Sequence, residues 1–479
     1  MDNSAGIRIG KKAFFSAVAI LAVLVLTAGV LTLAIPAGSF QREIVDGREV
    51  IVPGTFTYSD EVSYPVWRWL TAPIEVLWGP DSLLVISIIL FILIIGGSFA
   101  ILDKAGVLRA LIGKIVAGVG DRKYLLLMVV TLFFMLFGSL LGILEEIVPL
   151  VPLAVALAWS LGWDSLTGLG MSLLATCFGF AAAISNPFTI GIAQRIAGLP
   201  AFSGAGFRIL IFLLIYLLLM AFLVRHAKRV EHQPSLSLVW TEDQEARRGS
   251  EKMDFSRIQV PRAALLWFGG TLAAVMLLVL GASLLPGLSD YTLPLIALLF
   301  LAAGLGSGLL AGLGPGRVVR SFGSGIAGIL PGVLLILLAM SVKHIISQGG
   351  IMDTLLYYAA EAITGASQGA AVLLTYLAVL VMNFFIGSAS AKAFLIMPLI
   401  TPLADLVGIT RQVAVQAFAF GDGFSNVLYP TNPILLIALG LTVVSYPKWF
   451  RWIIGLQLAV LVLTVLLLLL AVAINWGPF

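Results

Sequence analysis

The sequence predicts an all-α polytopic membrane protein, and three observations lead there. Of its 479 residues, 60% are hydrophobic and only 11% are charged, whereas soluble domains carry about 25% charged residues. Apolar runs of about 20 residues, long enough to cross a hydrocarbon core as helix, recur along the whole chain. Lys and Arg gather in the short segments between those runs. The net charge of +4 therefore reflects topology and gives no nucleic-acid signal. A single cysteine, Cys177, excludes an intrachain disulfide and a Cys-rich metal site.

The first run, 13–35, is too long for a signal-peptide core and is read as the first span. Arg8, Lys11 and Lys12 before it place the N-terminus in the cytoplasm. Residues 36–68 hold five acids against three arginines and end near Trp67 and Trp69, which suits an external loop with an aromatic belt. A second span, 81–102, returns to Lys104, Arg109, Lys114, Arg122 and Lys123. Residues 105–119 are amphipathic and too short to cross, so they are expected along the interface.

From 124 to 162 the only charges are Glu145 and Glu146. The return arm, 147–161, would make about 22 Å of helix at 1.5 Å per residue, short of a core of about 30 Å. A re-entrant hairpin is expected here. A broken helix follows over 164–199, interrupted at Ser185-Asn186-Pro187, and a span over 206–224. The segment 225–262, with eight Lys/Arg, is the richest basic loop and contains the cytoplasmic linker, 229–262.

The second half, 263–479, is expected to repeat the first, 1–228, with inverted topology. Spans at 263–285, 291–313 and 325–345 lead to an interfacial helix at 350–363. A second hairpin, 368–406, follows, whose return arm after Lys392 has some dozen apolar residues. The second broken helix, 413–443, is interrupted at Thr431-Asn432-Pro433. Lys448 and Arg451 are placed inside, and a last span ends outside at Phe479. About nine full spans plus two hairpins result. A shift of 246 residues pairs Pro152 with Pro398, Glu146 with Lys392, Ser185 with Thr431, Asn186 with Asn432 and Pro187 with Pro433. Lys104-Ala105-Gly106-Val107-Leu108 likewise resembles Gln348-Gly349-Gly350-Ile351-Met352.

Asn followed by Pro is a helix-start signal, because Asn caps well and Pro suits the first helical position. Placed mid-membrane, it ends one half-helix and starts another. The donors of the new half-helix attract a carboxylate. The carbonyls of the old one, with Ser185, Asn186, Thr431 and Asn432, can coordinate Na⁺. The competing reading is a proline kink satisfied by neighbouring helices. Glu145 and Glu146 are intramembrane acids that must pair, protonate or bind ligand, and one of the two is expected to be functional. Lys392, beside Ser388 and Ser390, heads a return helix whose dipole disfavours a cation, so it needs Glu145, Glu146, Asp422 or a substrate carboxylate. A purely structural ion pair is the alternative. Asp422, near Asn426 and about two and a half turns before Asn432, can bind a coupling ion or proton; snorkelling is its alternative. Arg195, Arg208 and Arg411 are expected at the interface. His226, His232 and His344, in or near loops, lack metal-ligand spacing. Glycines at 304–308 fit close helix packing, and no P-loop is present.

These motifs resemble the ion transporter superfamily, and more closely the C4-dicarboxylate anaerobic carrier family with its YfcC branch, provisionally assigned as basic amino acid antiporters. The match rests on Ile35-Pro36-Ala37-Gly38-Ser39-Phe40, Glu145-Glu146, Ser185-Asn186-Pro187-Phe188, Gly387-Ser388-Ala389-Ser390, Met397-Pro398, Ala404-Asp405 and Pro430-Thr431. Residues 388–392 and 421–426 are also similar to the aminobenzoyl-glutamate transporters. Lys392 departs from the YfcC-like pattern, which has a small residue there. The resemblance implies a homodimer with a static scaffold and an elevator-like transport domain. The expected function is secondary active transport of a carboxylate-bearing metabolite, an amino acid first and a C4-dicarboxylate or short-chain fatty acid second. Na⁺ or H⁺ is the coupling ion, no other cofactor is expected, and the location is a bacterial-type inner membrane. A channel or an intramembrane enzyme fits the interrupted helices less well.

Overall fold

The computed structural model describes residues 11–45, 48–59, 64–119, 122–251, 260–284 and 291–477. Arg8, Phe479 and parts of the 36–68, 229–262 and 285–290 segments fall outside them. Twenty α-helices carry the fold. In the first half they are α1 (Lys11–Ala34), α2 (Arg68–Glu75), α3 (Ser82–Lys104), α4 (Val107–Val119), α5 (Lys123–Leu136), α6 (Val151–Ser160), α7 (Ser165–Leu169), α8 (Ala175–Ala182), α9 (Ile192–Ile196), α10 (Ala205–His232) and α11 (Trp240–Glu251). In the second they are α12 (Arg262–Leu284), α13 (Thr292–Leu310), α14 (Pro315–Gln348), α15 (Met352–Thr364), α16 (Gln368–Phe385), α17 (Ala389–Val407), α18 (Arg411–Gly423), α19 (Pro433–Gly440) and α20 (Tyr446–Ala473). Among the described residues, ten helical segments are long and apolar enough to cross a membrane. The protein is therefore an α-helical polytopic membrane protein.

Small residues set the closest helix contacts. A Cβ added at Gly325 of α14 would lie 2.4 Å from the Gly96 carbonyl oxygen of α3. Gly304 and Gly308 face Ser98 and Ile101 in the same way and seat α13 on α3. Close backbone approach of this kind is how membrane helices gain packing energy without a hydrophobic drive between them. Elsewhere α16 packs on α18, and α8 packs on α18 at Gly423, where an added Cβ would meet Ala181 at 2.3 Å.

Several elements differ from the sequence expectation. Residues 36–68 form two antiparallel strand pairs, β1 (Gly38–Ser39) with β4 (Thr57–Tyr58) and β2 (Arg42–Val45) with β3 (Arg48–Ile51). Trp67 is exposed, but Trp69 is buried against Gly29 of α1 rather than placed in a belt. Arg42 clamps this loop to α15 through both carboxylate oxygens of Asp353, at 2.9 Å each. The span expected at 325–345 is part of one 34-residue helix, α14, which starts with Pro315 at its first turn. The span expected to end at 224 continues to His232, and the linker contains a helix, α11, instead of loop alone.

The second return arm also differs. α17 runs for 19 residues and includes Lys392 in its first turn, which is about 28 Å of helix. Backbone from Ala389 onward is already helical because Ser388 caps it, accepting from the Ala391 amide. In the first hairpin the return arm is a 3-10 segment, Glu145–Leu150, followed by the ten-residue α6.

Candidate substrate site

Both chain breaks are built alike. Asn186 Oδ1 accepts from the amides of Phe188 and Thr189, and Asn432 Oδ1 accepts from those of Ile434 and Leu435. Pro187 and Pro433 hold the first helical positions, where a missing N–H costs nothing. Each break is also fastened to the hairpin before it. Ser185 Oγ donates to the Leu140 carbonyl at 3.2 Å, and Thr431 Oγ1 donates to the Phe384 carbonyl at 2.7 Å. The half-helix donors expected to hold a carboxylate are thus occupied at the second and third positions by their own caps. The caps are better placed than any ligand, since they are tethered two or three residues away.

The second break is wider than Thr431-Asn432-Pro433. α18 ends at Gly423, a 3-10 turn covers Phe424–Val427, and helix resumes only at Pro433. Asp422 therefore sits at the end of α18 rather than two and a half helical turns from Asn432. Its Oδ1 lies 2.6 Å from Lys392 Nζ, and both side chains are almost wholly buried, at 1% and 0% exposed. Of the anions expected for Lys392, Asp422 is the one that meets it. Lys392 Nζ also donates to Asn383 Oδ1. Asn383 Nδ2 donates to Ser425 Oγ (2.7 Å) and Asn426 Oδ1 (3.1 Å), and Asn432 Nδ2 donates to the same Asn426 oxygen (3.0 Å). One polar chain thus joins Lys392, Asn383, Asn426 and Asn432. Removing one partner of such a buried pair costs about 3–5 kcal/mol.

Glu145 and Glu146 open the 3-10 segment of the first hairpin, which packs against α19. Both are half-buried, and neither forms an ion pair among the described residues. Glu146 Oε2 accepts from the Leu144 amide at 3.2 Å. Ser388 is exposed, Ser390 is half-buried, and their hydroxyls are 3.4 Å apart at the second hairpin's tip. Residues 145, 422 and 392 belong to one neighbourhood with Asn432; Ser185 and Asn186 adjoin the first hairpin, linked to the rest through α8 and α18.

Arg208 was expected at the interface, but it is fully buried. Its Nε donates to the Ile184 carbonyl at 3.0 Å and one terminal nitrogen to the Phe202 carbonyl at 2.9 Å, satisfying the end of α8 just before the break. Arg195 is exposed, and Arg411 pairs with Asp405 at 2.6 Å. His344 is buried within α14, 3.4 Å from Glu75, rather than in a loop. Asn383 and Arg208 are the residues sequence reasoning missed. An amide closing an otherwise apolar arm was the available signal for Asn383; Arg208, near a helix end, gave none.

A second polar cluster lies where the linker meets the broken helix. Asp164 caps α7 through Thr167 and binds His226 Nε2 (3.0 Å) and Ser237 Oγ (2.6 Å). Burial pushes its carboxyl up, but the bonds from His226, Ser237 and Thr167 outweigh that and hold it at about 2. Asp243 of α11 accepts from Ser165 N at 2.9 Å and Ser165 Oγ at 2.5 Å, and burial pushes its carboxyl up to about 6 against those bonds. Lys448 at the start of α20 meets Glu242 at 2.5 Å.

Among the described residues, ten candidate spans, two interrupted helices and a buried charged network are the features of a membrane carrier, and comparison with known proteins gives that class. The C4-dicarboxylate anaerobic carrier family matches residues 14–473, and the chain belongs to that family. It is 32% identical over 382 residues to YfcC of Escherichia coli strain K12, provisionally named a basic amino acid antiporter, covering 76% of this chain and 73% of that protein. It is 25% identical over 423 residues to an uncharacterized protein of Haemophilus influenzae, covering 88% and 81%. The crystal structure of the Alcanivorax borkumensis YdaH transporter aligns over 97% of this chain and 99% of that one, with a TM-score of 0.41 and 18% identity.

Proposed function

We propose that this chain is a secondary active transporter of an amino acid carrying a positive group, working by ion-coupled symport or by exchange. The observation that carries this reading is the pair Glu145 and Glu146, half-buried beside α19 and without a cation partner among the described residues. Lys392 is already matched by Asp422, so it does not offset them. Carboxylates held out of water demand a cation, and a ligand ammonium or guanidinium supplies one. A C4-dicarboxylate would add two negative charges to the same place. The name of the Escherichia coli relative agrees with a basic amino acid. The two halves, 1–228 and 263–479, act as inverted repeats, and the like construction of the two breaks supports this. The hairpins and broken helices travel as an elevator-like unit against a scaffold in a homodimer, with the N-terminus cytoplasmic and the C-terminus external.

The test is uptake of radiolabelled arginine, lysine and succinate into proteoliposomes, with and without an ion or counter-substrate gradient. Gradient-dependent uptake of the basic amino acids is expected, and Glu145→Gln or Glu146→Gln should weaken it by about 30-fold, equal to about 2 kcal/mol. Succinate uptake without arginine or lysine uptake would overturn the reading.

A further inference from the structure

Lys392 is the fourth residue of α17, close to the positive end of that helix. An ammonium there is held against the helix dipole and out of water, so something must compensate it. Two oxygens meet the ammonium, Asp422 Oδ1 at 2.6 Å and Asn383 Oδ1, while Ser425 Oγ and Asn426 Oδ1 accept from the Asn383 amide nitrogen and so fix how that oxygen is turned. Asp422 Oδ1 meets the ammonium off the ideal hydrogen-bond direction, and Oδ2, fully buried, has no hydrogen-bond partner among the described residues. A carboxylate oxygen and an amide oxygen are the kind of hard ligands that also suit a small monovalent cation. Here the position is filled by a cation tied to the chain.

We propose that the Lys392 ammonium is the resident cation of the second hairpin, standing where a mobile Na⁺ would otherwise neutralise Asp422, so that this carrier does not bind or use Na⁺. The idea rests on the transport reading above and deepens it by naming what completes the site's charge. The charges facing Lys392 are few. Asp422 of α18 contacts it directly, and no other ion pair to it is present among the described residues. With the ammonium present the Asp422 charge is balanced at any sodium concentration. Without it, the Asp422 carboxylate and the Asn383 amide oxygen are left facing a space that a sodium ion and waters can enter. A merely structural ion pair makes no such promise, because its loss gives instability with no preference among salts.

The test uses the purified full-length chain and the salts alone. Thermal unfolding is followed by tryptophan fluorescence in NaCl and in KCl at equal ionic strength. The wild-type protein is expected to melt at the same temperature in both. Lys392→Ala is expected to melt lower in KCl and to recover in NaCl, with a saturable dependence on sodium. Lys392→Ala combined with Asp422→Asn is expected to lose that recovery. Wild-type protein stabilised by sodium over potassium overturns the proposal, and so does a folded Lys392→Ala indifferent to the choice of salt. Should Lys392→Ala fail to fold in either salt, Lys392→Gln, which keeps most of the side chain's length, is read by the same criterion. Because the readout is salt-dependent stability rather than flux, its failure leaves transport itself standing.

Discussion

Protonation of Asp243 should tighten the docking of α11 on the broken helix, and the magnitude can be worked from its surroundings. Asp243 is buried, accepts two bonds from Ser165, and feels Asp164 as a repulsive and Arg247 as an attractive charge. Burial dominates and lifts its carboxyl from the ordinary 3.8 to about 6. An acid whose folded-state value is raised binds its proton more tightly when folded. Docking is therefore strongest below about pH 4 and weakens as pH rises toward 6, with little change beyond. A shift of about two units corresponds to about 3 kcal/mol. Asp164 runs in the opposite sense, its favourable contribution being lost as pH falls from 3.8 toward 2, so the two windows do not overlap. Asp243→Asn keeps an acceptor for the Ser165 amide and removes the titration. The assay is thermal unfolding of both proteins from pH 4 to 7, read as the difference between them. That difference should change by about 3 kcal/mol in favour of the variant as pH rises. A difference that stays flat across this range refutes the argument.

Other perturbations have outcomes as definite. Gly142 has φ +67, and a Cβ there would lie 2.3 Å from Asn186 Oδ1; Gly142→Ala combines a left-handed strain with a displaced cap and should cost about 2–3 kcal/mol in denaturant unfolding. Arg208→Met leaves the Ile184 and Phe202 carbonyls without their donor, which should cost about 2–4 kcal/mol and lower uptake in proteoliposomes. Arg42→Ala removes the two guanidinium bonds to Asp353 and leaves the Phe40 amide as the remaining donor to that carboxylate among the described residues, and amide exchange in β2 and β3 should rise well before α15 opens.

Much of this architecture was legible because lipid imposes few solutions. Apolar length marked the spans, and the Asn-Pro pairs marked both restarts because an asparagine followed by proline has one good use inside a helix. Lys392 needed an anion on burial cost alone, and Asp422 was among three acids that could answer. What was hidden depends on which way a side chain faces. Arg208 sits near a helix end in sequence, and nothing in its neighbours says that it turns inward to Ile184. The width of the second break was hidden too, since residues 424–432 contain no proline before Pro430, and the side-chain bonds from Asn383 to Ser425 and Asn426 within it join residues more than 40 apart. The strands of the first loop had a readable signal in Asp46-Gly47 between two alternating runs, outweighed by the loop's charge. The docking of α11 pairs residues 78 apart, beyond any local pattern.

The bonds from Ser185 to Leu140 and from Thr431 to Phe384 have a mechanical corollary. A movement that kept both bonds would have to flex the chain at joints outside these pieces. The chain supplies candidates for such joints at Gly106 and Gly350, both in the left-handed region, one immediately before α4 and the other two residues before α15. Stiffness at the cargo and pliancy at its suspension would then be written into different parts of the same polypeptide.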